Sequence, residues 1–285
     1  TNDNTLTLTG TAVAGSTVQV FDGATQIGTA TANGAGAWSF NTATLSDGAH
    51  AFTAKAMDAA GNVSAASTAL NVTVDTAAPG APTIASFSTD SGVVGDGITN
   101  DNTLALTGTA VAGSTVQLFD GVTQIGTATA DGSGAWTFAT ATLTDGSHAF
   151  TAKAVDTAGN VSTASSALNV TVDTVAPGAP TVASFSTDSG VVGDGITNDS
   201  TLALTGTAAA GSTVQVFDGA TQIGTATANG SGAWTFATAT LADGSHAFTA
   251  KAVDAAGNVS VASTALNVTV DTVAPGAPTI ASFST

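Results

Sequence analysis

Every Trp, His and Lys of this chain recurs at a spacing of 98: Trp38, Trp136 and Trp234, then His50, His148 and His246, then Lys55, Lys153 and Lys251. Between Thr99–Thr187 and Thr197–Thr285 only 10 of 89 aligned positions differ, and nearly all of these exchange one small or apolar residue for another. A period of this size is that of a whole domain, so each copy must bury a core of its own and the chain is an array of one module. Its 285 residues hold three periods less nine, which reads as a slice from a longer array. The expected divisions are 1–77, a repeat lacking its first strand; 78–175 and 176–273, complete repeats; and 274–285, the first strand of a following repeat.

Within one period, apolar and polar residues alternate, and Gly, Asp and Asn interrupt the alternation at short intervals. That pattern predicts strands and tight turns and contains no helical stripe. In the middle repeat the expected strands are Pro82–Phe87, Thr103–Ala110, Thr115–Phe119, Gln124–Ala130, Ala135–Ala141, Ser147–Val155 and Ala167–Val172. Alternation assigns Leu104, Leu106, Val116, Leu118, Trp136, Phe138, Phe150, Ala152, Ala154, Leu168, Val170 and Val172 to the inward face. Asp120-Gly121, Asp131-Gly132 and Asp145-Gly146 mark hairpins. The expected fold is all-β: tandem immunoglobulin-like sandwiches of about seven antiparallel strands each, in a linear array. With no cysteine in the chain, the two sheets of each sandwich must be held by packing around the tryptophan.

Charge excludes several functions. All 20 acidic residues are Asp, only three Lys and no Arg oppose them, and the net charge is −17. Such a surface cannot neutralise phosphates, which argues against nucleic acid and against anionic membranes as partners. No apolar run is long enough to cross a bilayer. The absence of Glu and Cys, of a base paired to a nucleophile and of a phosphate-cradling glycine loop leads us to expect no enzyme and no small-molecule substrate. His148 is expected to be a structural, hydrogen-bonded residue, Trp136 a core residue rather than a sugar platform, and Lys153 an outward, solubilising charge.

Asp-Gly pairs have a sufficient local explanation as turns, and Asp131 is Asn33 and Asn229 in the sister copies. Asp90, Asp101, Asp156 and Asp173 lack that explanation. If the strands run as assigned, the loop from Asp90 to Asn102 and the end of the last strand at Asp173 share one pole of a sandwich. The loop from Asp254 to Asn258 of the following repeat faces that pole across the connector. Asp188, Asp194, Asp199 and Asp271 would form the same supply of oxygens one repeat on. Clustered carboxylates without basic partners suit Ca²⁺, which takes six to eight oxygens from carboxylates, carbonyls and water. The twelve residues from Asp90 to Asp101, with Asp96 in their midst, have the length of an EF-hand loop but carry Gly92 and Val94 where that loop needs ligands, and no helices flank them.

The stretches 104–110 (LALTGTA), 134–136 (GAW), 145–148 (DGSH), 155–162 (VDTAGNVS) and 172–177 (VDTVAP) resemble the bacterial immunoglobulin-like extender repeats of giant RTX-type and biofilm-associated adhesins. The resemblance covers all three periods. It implies a secreted stalk at the bacterial cell surface, exported by type I secretion, whose junctions are stiffened by calcium and whose partners are neighbouring repeats. It further implies metal roles for Asp58, Asp156 and Asp254, for Asp75, Asp173 and Asp271, and for Asp90, Asp101, Asp188 and Asp199. Two alternatives stand beside the stalk. One is a self-assembling surface filament or surface-layer subunit, joined head to tail when the trailing strand completes another subunit. The other is a carbohydrate-binding accessory module, which would need exposed aromatic residues.

Overall fold

The computed structural model describes residues 1–282 and is built of strands alone. The first repeat contains β1 (Thr7–Thr11), β2 (Thr17–Asp22), β3 (Thr25–Thr31), β4 (Ala37–Asn41), β5 (Gly48–Met57) and β6 (Leu70–Val74). The middle repeat contains β7 (Thr83–Ser88), β8 (Ile98–Thr99), β9 (Ala105–Thr109), β10 (Thr115–Asp120), β11 (Thr123–Thr129), β12 (Ala135–Ala139), β13 (Gly146–Val155) and β14 (Leu168–Val172). The last repeats it strand for strand: β15 (Thr181–Ser186), β16 (Ile196–Thr197), β17 (Ala203–Thr207), β18 (Thr213–Asp218), β19 (Thr221–Thr227), β20 (Ala233–Ala237), β21 (Gly244–Val253) and β22 (Leu266–Val270). The chain divides into two compact units, Thr1–Phe87 with Ala105–Ala141 and Ala149–Leu168, and Ser88–Leu104 with Thr142–His148 and Asn169 onward.

The last repeat shows the sandwich whole. One sheet has the order β15-β17-β20 and the other β16-β22-β21-β18-β19. Their inner faces meet in a core of Val182, Leu202, Leu204, Val214, Val216, Trp234, Phe248 and Val268, with Ala228 and Ala250 filling the narrow places. Small side chains let the large ones interdigitate at crystal-like density. Trp234 is 1% exposed and lies flat against Gly206, where a Cβ would stand 2.6 Å from the indole ring and overlap the Thr181 carbonyl of β15. Its Nε1 has no hydrogen-bond partner. The tryptophan therefore holds the sandwich by shape alone, as the lack of a disulfide requires.

Three expectations are corrected. A complete repeat has eight strands rather than seven, and the additional pair is parallel: β8 runs beside β14, and β16 beside β22. Two residues cannot display an alternation, so this strand carries no pattern of its own. Phe138 is only half-buried, because it covers Gly126 at the sheet margin. Lys55, Lys153 and Lys251 do not simply solubilise the surface. Each ammonium lies over a ring of the neighbouring strand, Phe21, Phe119 or Phe217, at 5.3, 5.7 and 5.7 Å, a cation–π geometry. From residue 271 to 282 the chain forms no strand, and the last part of the strand expected over 274–285 lies outside the described residues.

The histidines behave as expected of structural residues. His50 Nδ1 is 2.6 Å from the Asp22 carboxylate, its Nε2 is 2.9 Å from the Ser46 carbonyl, and its ring stacks on Phe52. His246 repeats this with Asp218, Ala242 and Phe248. Both partners only accept hydrogen bonds, so the site suits the imidazolium, which donates from both nitrogens. The Ser46 carbonyl, followed by the Asp22 carboxylate, raises the His50 pKa above its ordinary 6.5. At His246, burial is the largest influence and opposes protonation, but the Ala242 carbonyl and Asp218 together outweigh it and the pKa is again raised. A raised folded pKa gives stability that is fully present below the unfolded value and is lost as pH rises through the folded one. No other side chain of this Cys-free, Tyr-free chain ordinarily titrates between pH 6 and 8. The melting temperature should therefore fall as the pH is taken from about 6 to 8, and the Asp218→Asn variant should lose its share of that slope. An identical slope in the variant would refute the assignment.

Candidate functional site

The repeats are joined by loops whose backbones fit each other. Within the second unit, Asn258 Nδ2 donates to the Asp173 carbonyl at 2.7 Å, the Val93 amide donates to the Ala255 carbonyl at 3.2 Å, and Ser91 Oγ donates to the Ala256 carbonyl at 2.6 Å. Ala256 is 1% exposed in this contact. Gly92 and Gly257 make it possible. Both have positive φ, +70° and +88°, and a Cβ on Gly92 would overlap the Ala255 carbonyl. Within the first unit the same hydrogen bond is made one repeat earlier, with Asn160 Nδ2 donating to the Asp75 carbonyl at 2.8 Å. The expected meeting of the loop from Asp254 to Asn258 with the pole at Asp173 is thus what the structure contains.

The carboxylates do something different from what their spacing predicts. Asp156 receives the amides of Ala158, Gly159 and Asn160 on Oδ1 and the Asn160 side-chain amide on Oδ2. Asp58 and Asp254 do the same for Asn62 and Asn258. These aspartates shape the loop that presents the asparagine to the neighbouring repeat. The Asn62 side chain, then the Asn62 amide, lowers the pKa of Asp58; the Asn160 side chain is foremost for Asp156. Asp75, Asp173 and Asp271 each accept the amide two residues ahead, from Ala77, Val175 and Val273. Asp101 and Asp199 take the amide and hydroxyl of Thr103 and Thr201, and the Thr201 amide leads in lowering the Asp199 pKa. Asp96 and Asp194 accept from Ile98 and Ile196.

Asp90 and Asp188 are the exceptions. On each, Oδ2 receives a glycine amide, Gly95 or Gly193, at 2.5 Å, while Oδ1 is buried and has no hydrogen-bond partner. Among the described residues no three His, Cys, Asp or Glu side chains lie close enough together to hold a metal ion. The expected convergence of Asp188, Asp194, Asp199 and Asp271 is therefore not realised, because each carboxylate turns back onto amides of its own loop. Pole placement itself is correct: the Asp271 amide donates to the Thr197 carbonyl, beside Asp199, at 2.9 Å.

Asp-Gly residues also do more than turn the chain. Asp131 confines itself to its hairpin, accepting from Ser133 and Ala135, and Asn229 makes the same bonds. Asp145 and Asp243, in contrast, reach 29 residues forward to the amide and hydroxyl of Thr174 and Thr272, tying the end of the last strand to the hairpin. Among the described residues no Trp or Phe is exposed, so a flat aromatic platform for sugars is not formed.

The bacterial Ig-like domain family matches this chain over residues 1–76, 78–174 and 176–272. The chain belongs to that family. Its Ig-like repeats are 37% identical over 274 residues to Exoglucanase B of Cellulomonas fimi, covering 89% of this chain and 23% of that protein. The chain thus spans about a quarter of the length of that relative. Among solved structures, a 1.5-MDa bacterial ice-binding adhesin is 24% identical, with 94% of this chain and 90% of that chain covered and a TM-score of 0.36. A tetra-tandem repeat from the extending region of a large adhesion protein is 26% identical, with coverages of 95% and 72% and a TM-score of 0.29.

Proposed function

We propose that this chain is a non-enzymatic spacer, a segment of the extender stalk of a secreted bacterial surface adhesin that holds a distal adhesive domain away from the cell and so supports adhesion and biofilm formation. The observation that carries this reading is the joint. The same asparagine donates to the same aspartate carbonyl at both joints, at 2.8 and 2.7 Å, and the residues that build it recur with the period of the array. A repeated joint is what a mechanical spacer needs, because each added copy extends the array in the same way.

Calcium is the second part of the proposal. Asp90 and Asp188 fit a cation through their buried, unpartnered Oδ1 atoms, since an acceptor of this kind costs free energy until something donates to it or coordinates it. Calcium accepts carbonyl and water oxygens alongside a carboxylate, so one aspartate can contribute to a site that its loop completes. An ion that binds the folded loop and not the free chain stabilises the repeat by mass action, by about 2.7 kcal/mol at a hundredfold excess over its Kd. Calorimetry and small-angle scattering with calcium and with chelator test this directly. Calcium should raise the melting temperature and leave the maximum dimension greater than in chelator, and Asp188→Asn should reduce both effects. Identical curves in the two buffers would remove calcium from the proposal and leave the spacer to stand on its joints.

A further inference from the structure

The turn between β19 and β20 carries Asn229-Gly230, and the turn between β3 and β4 carries Asn33-Gly34; the middle repeat has Asp131-Gly132 at this place. Asn229 and Gly230 are both exposed. Asn229 Oδ1 accepts three hydrogen bonds, from the Ser231 amide at 2.9 Å, the Ser231 hydroxyl at 2.7 Å and the Ala233 amide at 3.0 Å. Donors gathered on one carbonyl oxygen stabilise negative charge that develops there. The next nitrogen along the chain, the Gly230 amide, is unencumbered. A Cβ on Gly230 would meet nothing within 4 Å, its φ is not positive, and among the described residues no acceptor takes its amide proton. Nothing in the fold calls for glycine at this position, and its bare backbone leaves the amide open to the carboxamide that precedes it.

We propose that Asn229 and Asn33 are sites of spontaneous deamidation promoted by the turn itself, and that each converts in the folded repeat to the aspartate that the middle repeat already carries at 131. The Gly230 nitrogen attacks Asn229 Cγ and gives its proton to water, and the oxygen that becomes an oxyanion is Oδ1, under its three donors. The Cγ–Nδ2 bond then breaks, the side-chain nitrogen leaves as ammonia, and a succinimide joins Cγ to the Gly230 nitrogen. Water adds to one of the two ring carbonyls and opens the ring, to aspartate or to isoaspartate, in which the main chain continues through Cγ. For the nitrogen to reach Cγ the 229–230 peptide plane must rotate, which breaks the bond from the Gly232 amide to the Asn229 carbonyl, 2.8 Å long. The aspartate product fits the turn. Asp131 Oδ1 accepts from the Ser133 amide at 2.8 Å, the Ser133 hydroxyl at 2.7 Å and the Ala135 amide at 2.9 Å. The Ser133 hydroxyl, then the Ala135 amide, lowers the Asp131 pKa, so the product is held ionised. Asn33 is a graded case: residue 35 is alanine, and Oδ1 accepts from the amides of Ala35 and Ala37, at 2.9 and 3.1 Å, with no hydroxyl to add a third bond.

Peptide mapping by mass spectrometry of the whole chain, aged at mildly alkaline pH, tests this. The small mass gain that accompanies exchange of amide for acid should accumulate at Asn229 about threefold faster than at Asn33, the difference that one hydrogen bond makes. The peptide holding Asp131 should keep its mass. Ser231→Ala, a change at an exposed position, should slow conversion of Asn229 to the rate of Asn33. Should the three bonds instead restrain the side chain, this variant would convert faster than the parent, and the proposal would fall. Gly230→Ala should slow conversion about tenfold, because a Cβ crowds the attacking nitrogen. In urea, with the turn gone, Asn229 and Asn33 should convert at closely similar rates. A folded chain whose Asn229 stays intact while the urea-unfolded chain converts would also overturn the proposal. None of these results touches the spacer reading, which rests on the joints between repeats.

Discussion

Replacing Gly206 with alanine should unfold the last repeat some 10–20 °C early, while the same change at Gly230 of that repeat should hardly register. The added Cβ would overlap the Thr181 carbonyl on one side and stand 2.6 Å from the Trp234 ring on the other. Neither neighbour can yield. The carbonyl belongs to a paired strand, and the indole is fully enclosed. Overpacking a closed core costs about 1–3 kcal/mol, and here the upper end applies because two neighbours are struck at once. For a domain near 100 residues each kcal/mol moves the melting temperature by roughly 4–8 °C. At Gly230 an added Cβ meets nothing within 4 Å, and the backbone there has no positive φ. Calorimetry of the whole chain separates the two variants, since about a third of the unfolding heat should shift in one and almost none in the other. Equal shifts would mean that β15 does not lie where the structure places it.

The second large effect is expected at a residue that supports no core. Gly92→Ala places a methyl group on the Ala255 carbonyl at a position with φ of +70°. The joint must open, losing the bonds from Val93, Ser91 and Asn258, each worth about 0.5–1.5 kcal/mol. The sandwiches themselves should melt as before. Spin labels on cysteines introduced at Thr142 and Ala220, both exposed, would report one narrow distance in the parent chain and a broad distribution in the variant. A distribution that stays narrow would show that the loop contact does not set the joint, and the spacer proposal would lose its main support.

How far these features could be read from residues alone depends on what each leaves in the pattern. The array, the long strands and most of the core are carried by a period of 98 and a period of two, and Leu104, Leu106, Val116, Leu118, Phe150, Ala152, Ala154 and Val172 are buried as alternation requires. The meeting of the 254–258 loop with the Asp173 pole was legible too, because strand order fixes which loops share a pole. The chemistry of that meeting was not. Unpaired aspartates suggested an electrostatic joint, yet the contacts run through an asparagine amide, a serine hydroxyl and two glycines. Glycine signals a turn wherever it occurs, and nothing in sequence distinguishes a Gly92 that admits a foreign carbonyl from a Gly121 that faces open space. The aspartates give no clearer signal: a carboxylate that caps its own loop and one that binds a cation have the same composition around them. Asp145 and Asp243 reach threonines 29 residues away, a separation that no local rule inspects.

The two-residue strand β16 has a mechanical consequence. It runs parallel to β22, and the bonds from the Thr269 amide to the Gly195 carbonyl and from the Asp271 amide to the Thr197 carbonyl, 2.8 and 2.9 Å, sit side by side across the pair. Tension drawn through the polypeptide pulls β16 by its leading end and β22 by its trailing end, so the two slide against each other in shear. The bonds then have to rupture together instead of peeling away singly, and the bonds from the Thr171 and Asp173 amides offer the same clasp in the repeat before it.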